Sequence, residues 1–173
     1  MITIIAGTNR PDNNSKRIAN ICSQLMQELG QETQLFSLED LPHDFAFNNT
    51  IYREEAPGMQ AIIDRYLKGV DRIVIVAAEY NGSYPGVLKA FIDAVHPDFW
   101  KGKKAALVGI SSGRSGNVRG LEHLTGMLHY LQVEVCSVKP VISGIDGLLE
   151  GAALNDEEAN QVLKSQAERC LQF

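Results

Sequence analysis

The sequence predicts an α/β three-layer sandwich, a five-stranded parallel sheet with helices on both faces. Short apolar runs bounded by turn residues alternate with helical patterns five times along the 173 residues, the signature of βαβ units. The run at 73–78, IVIVAA, is apolar throughout, as a strand buried on both faces must be, rather than alternating. No internal repeat and no Pro/Gly-rich linker interrupts the chain, so residues 1–173 read as one domain. A domain of this length buries roughly 70% of its unfolded surface.

In chain order, residues 2–6 (ITIIA) form the first strand and 7–14 a polar loop. Ser15 stands where an N-cap is needed for a helix to about residue 29, with Ile18, Cys22, Leu25 and Leu29 on one face and Gly30 as its stop. Residues 33–37 form the second strand. Residues 39–56 lack periodicity, and Pro42, Asn48 and Asn49 mark a long loop, which in a compact domain is often functional or interface-forming. Pro57 begins a helix carrying Met59, Ile62, Ile63, Tyr66 and Leu67.

The third strand, 72–78, runs through Glu79-Tyr80-Asn81-Gly82-Ser83-Tyr84 into a helix. Pro85 suits that helix's first turn, where its missing N–H would be unpaired anyway. Ser83 or Tyr84 then lies near the N-cap, and Val87, Leu88, Phe91, Ile92 and Val95 form the buried stripe. Residues 104–111 form the fourth strand, and 117–131 a helix burying Leu121, Leu124, Leu128 and Leu131. A fifth strand at 133–138 and a closing helix at 156–171 complete the chain. This order fits the flavodoxin-like arrangement 2-1-3-4-5, whose ligand crevice lies at the carboxyl ends of the strands, between the first and the third.

Composition narrows the function. The net charge of −5 is spread without a basic stripe, which argues against nucleic acid or an anionic membrane as partner. MITIIAG enters a strand directly, with no basic leader and no long apolar segment, so a cytoplasmic protein is expected. Cys22, Cys136 and Cys170 are scattered and form no CxxC, and read as reduced, buried thiols. His43, His96, His123 and His129 lack ligand spacing, so no metal site is expected.

Three loops of small polar residues follow the first, third and fourth strands, whose ends are neighbours in the proposed order. The first, GTNRPDNNSKRIA, joins a strand to a helix start and holds Arg10, Lys16 and Arg17. It reads equally as a phosphate cradle at a helix N-terminus and as a solvated loop whose Asn and Ser cap the helix. It has neither a GK[ST] nor a GxGxxG. The other two, 79–84 and 111–116, are by themselves also consistent with plain Asn-Gly and Gly-rich turns.

Gly7-Thr8-x-Arg10 with Ser15 and Ala19, followed by Glu79-Tyr80-Asn81-x-Ser83-x-Pro85-Gly86-x-Leu88-Lys89-x-x-Ile92-Asp93, resembles the NADPH-dependent FMN reductases. These are small flavodoxin-like flavoproteins that reduce flavins, quinones, azo dyes or metal oxyanions. The likeness runs in register to Leu131 and is thin from Val141 onward. It implies that Thr8, Arg10, Asn13, Ser15 and Lys16 hold the FMN phosphate. It further implies that Glu79, Tyr80, Asn81 and Gly82 hold the ring system, and that Ser112, Gly113, Arg114, Ser115, Gly116 and Asn117 close over it. Ala78 replaces the Pro usual before Glu-Tyr-Asn, leaving the turn less rigid. Asn13 replaces a hydroxyl residue, though its amide can still donate. Ala90 and Ala94 replace a common Asn and Trp.

The resemblance implies an enzyme that passes hydride equivalents from NADPH or NADH through bound FMN to a small-molecule acceptor, as a homodimer or homotetramer. The hard chemistry then belongs to the cofactor and no protein nucleophile is required. Arg114 and Arg119 are candidates for the 2′-phosphate of NADPH, with a solvated helix face as the plainer reading. Trp100 is expected to serve packing or an oligomer contact.

Two other classes compete. Gly109-Ile110-Ser111-Ser112-Gly113 matches the GxSxG nucleophile elbow, but no histidine follows Asp146, so the Ser–acid–His order cannot be completed. An FMN electron carrier of the flavodoxin type would have a hydroxyl-rich phosphate loop without arginine and a strongly acidic surface. Arg10 and the modest charge favour the reductase, and the strand tips are expected to form a cationic notch. That cation also argues against a flavin-free signalling domain of the same topology, which would cluster acids at the first strand's end.

Overall fold

The computed structural model describes residues 1–47 and 57–173; Asn48 and Asn49, assigned above to the long loop, lie outside them. Five strands pair in the order β2-β1-β3-β4-β5, from Ile2–Ala6 (β1), Thr33–Ser37 (β2), Arg72–Ala78 (β3), Lys104–Ile110 (β4) and Glu134–Val135 (β5). All these pairings are parallel, with Ala6 opposite Ser37 and Val76, and Ala78 opposite Ile110. The tips of β1, β3 and β4 therefore open side by side at one edge, where the predicted order puts the crevice.

Parallel strands require crossover helices, and these cover both faces. Pro57–Tyr66 (α2), Gly86–Asp93 (α3) and Val118–Tyr130 (α4) pack on one face. An aromatic chain runs through that layer: Phe36 stacks on Tyr66 at 4.6 Å, and Phe91 meets Trp100 edge-on at 5.9 Å. Trp100 is fully buried, so it serves packing. Asn14–Glu28 (α1) and Glu157–Gln172 (α5) cover the other face, against Ile4, Val74, Val76 and Val108.

Helix starts differ from expectation by one or two residues. Asn13, not Ser15, caps α1: its Oδ1 accepts from the Lys16 N–H at 2.8 Å. Pro85 is itself the N-cap of α3 rather than its first helical residue.

The expected strand at 133–138 is broken. β5 ends at Val135, and the chain returns to β4 only at Val141–Ile142 (β6), opposite Gly109 and Ile110. Pro140 lies in the gap and has no N–H to donate, although its carbonyl accepts from Gly109 N–H at 2.9 Å. Gln166 of α5 fills the interruption. Its Nε2 donates to Leu107 O at 2.7 Å and to Val138 O at 2.8 Å, pairing carbonyls the ladder leaves open. A short hairpin, Leu149–Glu150 (β7) with Ala153–Leu154 (β8), precedes α5 and carried no sequence signal.

Candidate functional site

The crevice is a cleft of about 270 Å³ lined by the β1 loop, the tip of β3, the end of β4 and the segment at 145–146. Gly7 starts the first loop where only glycine fits. A Cβ there would come within 2.8 Å of Val76 O and 3.2 Å of Leu88 Cδ2, so the chain can leave β1 flush against β3. Larger concavities lie by Val133 and Phe173 and between Lys139 and α5. Neither draws on the β1 and β3 tips.

Of the predicted residues, Thr8, Arg10, Asn13, Ser15, Glu79, Tyr80 and Ser112 line the cleft. Thr8 Oγ1 and the Tyr80 hydroxyl share a hydrogen bond of 2.6 Å, and the Arg10 guanidinium lies 4.1 Å from the centre of the Tyr80 ring. This cation–π contact parks the guanidinium at the cleft without pairing it to a carboxylate. Ser15, on the first turn of α1, is 1% exposed, and its Oγ has no hydrogen-bond partner among the described residues. A hydroxyl in that state is costly, and here it sits on the wall of a polar cleft at a helix start, where an anion would satisfy it.

The third-strand turn is closed by Tyr80 and Ser83, each donating its N–H to the other's carbonyl at 2.8 and 3.1 Å. Asn81 and Gly82 both have positive φ, 53° and 77°, so this is the Asn-Gly turn whose geometry selects those two residues. Among the described residues neither of their N–H groups has an acceptor. Neither residue lines the cleft; they stand beside it as free backbone donors.

The structure does not bring every predicted residue to the cleft. Lys16 is not in the cleft: its Nζ pairs with Glu39 at 3.1 Å. The Asn13 amide is not available either, because its two hydrogens go to Arg10 O at 2.6 Å and to Glu39. Asn13 organises the loop instead. Asn117 is 1% exposed and donates to Ala77 O and Ala78 O, both at 3.0 Å, so it braces β3 from behind. Gly113, Arg114, Ser115 and Gly116 do not line the cleft. Gly116 is packed under Val141, whose Cβ would lie 2.7 Å from an added Cβ. Ser115 hydrogen-bonds Glu79 from outside.

The expected cationic notch is also corrected. Arg10 is the one lysine or arginine among the lining residues, against the carboxylates of Asp12, Glu79 and Asp146. Asp146 and Ile145 reach the cleft because the segment after β6 is fastened to the β4 loop. Gly144 N–H donates to Gly113 O, Ile145 N–H to Ser111 O, and Ser143 Oγ to Arg114 O. Periodicity and turn residues gave no hint of that attachment.

Ser111, the candidate nucleophile of the GxSxG reading, has an Oγ that donates to Gly113 O and accepts from Gly116 N–H, both at 2.9 Å. It is a loop brace. His123 bonds Ser83 Oγ through Nδ1 at 2.9 Å, on the far side of the third-strand turn. No group of three or more His, Cys, Asp or Glu suited to a metal occurs among the described residues. All three cysteines are buried free thiols. Burial pushes Cys22 up to about 12 and Cys170 up to about 11.

An open parallel sheet with a buried unsatisfied hydroxyl, an arginine and free turn donors at adjoining tips defines a flavodoxin-like binding domain. Solved structures agree on the fold. FerB, a flavoenzyme NAD(P)H:(acceptor) oxidoreductase from Paracoccus denitrificans, superposes with a TM-score of 0.84 at 24% identity, over 99% of this chain and 95% of that one. A Megasphaera elsdenii flavodoxin gives 0.60 at 15% identity, over 97% and 99%. Residues 1–145 match the family model for NADPH-dependent FMN reductase, and the chain belongs to that family. An NAD(P)H-dependent FMN reductase from Pseudomonas aeruginosa is 30% identical over 145 residues, 79% of this chain and 75% of that protein. A 2-hydroxy-1,4-benzoquinone reductase from a Burkholderia species is 28% identical over 146 residues, 76% and 72% respectively.

Proposed function

We propose that this chain is an FMN-dependent NAD(P)H oxidoreductase whose flavin lies across the tips of β1, β3 and β4. The observation that carries the placement is Ser15: a buried hydroxyl without a partner among the described residues, on the cleft wall at the start of α1, fits an anionic acceptor. Thr8, Arg10 and Ser15 would hold the phosphate. Tyr80 and the free N–H groups of Asn81 and Gly82 would hold the ring system, with Ser112 also lining the cleft. When bound, FMN supplies the hydride-transfer chemistry.

The residues of the chain then bind and orient. Arg10 offsets phosphate charge, and its contact with Tyr80 keeps the guanidinium positioned before the ligand arrives. Asn13 and Glu39 hold the loop carbonyl of Arg10 and the Lys16 ammonium away from the cleft. The Glu79 N–H is fixed by Ile110 O at 2.8 Å, tying the third-strand turn to β4. Arg119 approaches the same turn, its Nη1 3.0 Å from where a Cβ on Gly82 would stand, which supports it as a contact for the nicotinamide dinucleotide.

The acceptor is a small oxidant of the quinone, azo, flavin or metal-oxyanion type. The working unit is a homodimer or homotetramer in the cytoplasm, with residues 1–173 as one domain. No helix among the described residues is long and apolar enough to cross a membrane. Anaerobic mixing of FMN-loaded protein with NADPH or NADH tests the reading. Loss of the oxidised-flavin absorbance near the visible maximum is expected. Bleaching only when a separate reductase is supplied would establish a one-electron carrier instead.

A further inference from the structure

The phosphate end of the cleft is lined by a carboxylate that a phosphate-binding site has no electrostatic use for. Asp146 shares the cleft with Thr8, Arg10 and Ser15, and its Oδ1 accepts a hydrogen bond of 2.7 Å from Asn14 Nδ2 on the first turn of α1. The contact joins residues 132 apart in sequence across the cleft mouth. It is built, because Ile145 next to it is buried and its N–H is fixed to Ser111 O at 3.1 Å. Neither Lys16 nor Arg10 pairs with it: Lys16 is held by Glu39, and Arg10 lies over Tyr80.

We propose that Asp146 is an affinity- and selectivity-setting residue of the flavin site: its charge opposes the flavin phosphate, so that FMN is held loosely and exchanges. This rests on the FMN reading above. A phosphate monoester carries close to two negative charges at neutral pH. The Asn14 amide orients the carboxylate but leaves its charge in place, since a neutral donor cannot cancel it. The penalty falls on phosphate-bearing flavin alone. Riboflavin, which offers the same ring system without the phosphate, escapes it.

The test compares FMN and riboflavin binding to the full chain by quenching of flavin fluorescence, for wild type, Asp146→Asn, Asp146→Ser and Asp146→Glu. Both uncharged variants are expected to bind FMN about five- to tenfold more tightly at low salt, as Coulomb's law gives for one rim charge facing a dianion in a water-open cleft. Riboflavin binding should move less than twofold, and Asp146→Glu should behave as wild type. The FMN gain should shrink in about 1 M salt, where screening reaches only ~3 Å. An equal gain for both flavins would show a steric latch rather than a charge effect and would overturn the proposal, as would no gain in either uncharged variant. Failure of the wild-type chain to bind either flavin would instead bring down the FMN reading and this proposal with it.

Discussion

Replacing Ser15 by Ala is expected to change stability and ligand affinity in opposite directions. The Oγ is buried and, among the described residues, unpartnered, and an unsatisfied buried hydroxyl costs about 1–3 kcal/mol. Alanine removes that cost and is the better helix former by about 0.5 kcal/mol. Ser15→Ala without flavin should therefore gain about 1.5–3.5 kcal/mol, which for a domain of this length raises Tm by about 4–10 °C. FMN binding loses one hydrogen bond to a charged acceptor, about 1.5–3 kcal/mol, or roughly a ten- to hundredfold weaker Kd. Calorimetric melting of the flavin-stripped protein reads the first effect and fluorescence titration reads the second. A variant that melts earlier, with unchanged FMN affinity, would refute the reasoning, because the hydroxyl would then be part of the fold and not of the site.

Arg10→Ala should weaken FMN binding at least about tenfold in a fluorescence titration while moving Tm by less than about 3 °C, since an exposed cation–π contact contributes only about 0.5–1 kcal/mol; an unchanged Kd counts against the phosphate role. Gln166→Leu keeps the volume but leaves Leu107 O and Val138 O without their donor. A loss of about 2–4 kcal/mol is expected, visible as a drop in denaturation midpoint without a change in slope; a midpoint within error of wild type would show that the gap in β5 closes by itself. Cys22 should resist alkylation at pH 8.5 until the protein unfolds. Its thiol is raised from 9.0 to about 12 in the fold, so the unfolded chain loses that proton first. The stabilisation is full below pH 9 and is lost as pH rises toward 12. Thiolate absorbance at 240 nm from Cys22 in folded protein at pH 10 would contradict this.

Much of the fold was legible because its signals are local. The run at 73–78 is apolar on both faces, and its burial follows from that alone. The Asn81-Gly82 pair marks its turn because few other pairs accept two consecutive positive φ values. The break in β5 was less legible: residues 133–138 look like a strand, and Pro140 was the one hint that pairing would fail. That β4 tolerates the break depends on Gln166, a helical residue whose partners lie 59 and 28 positions away.

The candidate site divides in the same way. Residue order by itself determined the strand alternation, the sheet order and the three polar tips, since hydrophobic period and turn chemistry act between neighbours in the chain. Only the tertiary structure decided which polar groups at those tips are free. Glu39 claims Lys16 and Asn13, Tyr80 meets Thr8 and Arg10, Asn117 turns inward to β3, and Asp146 arrives from beyond the family likeness. Hydrogen bonds and charges depend on distance in space, and the partners that settle them are brought together by packing, which no local pattern encodes.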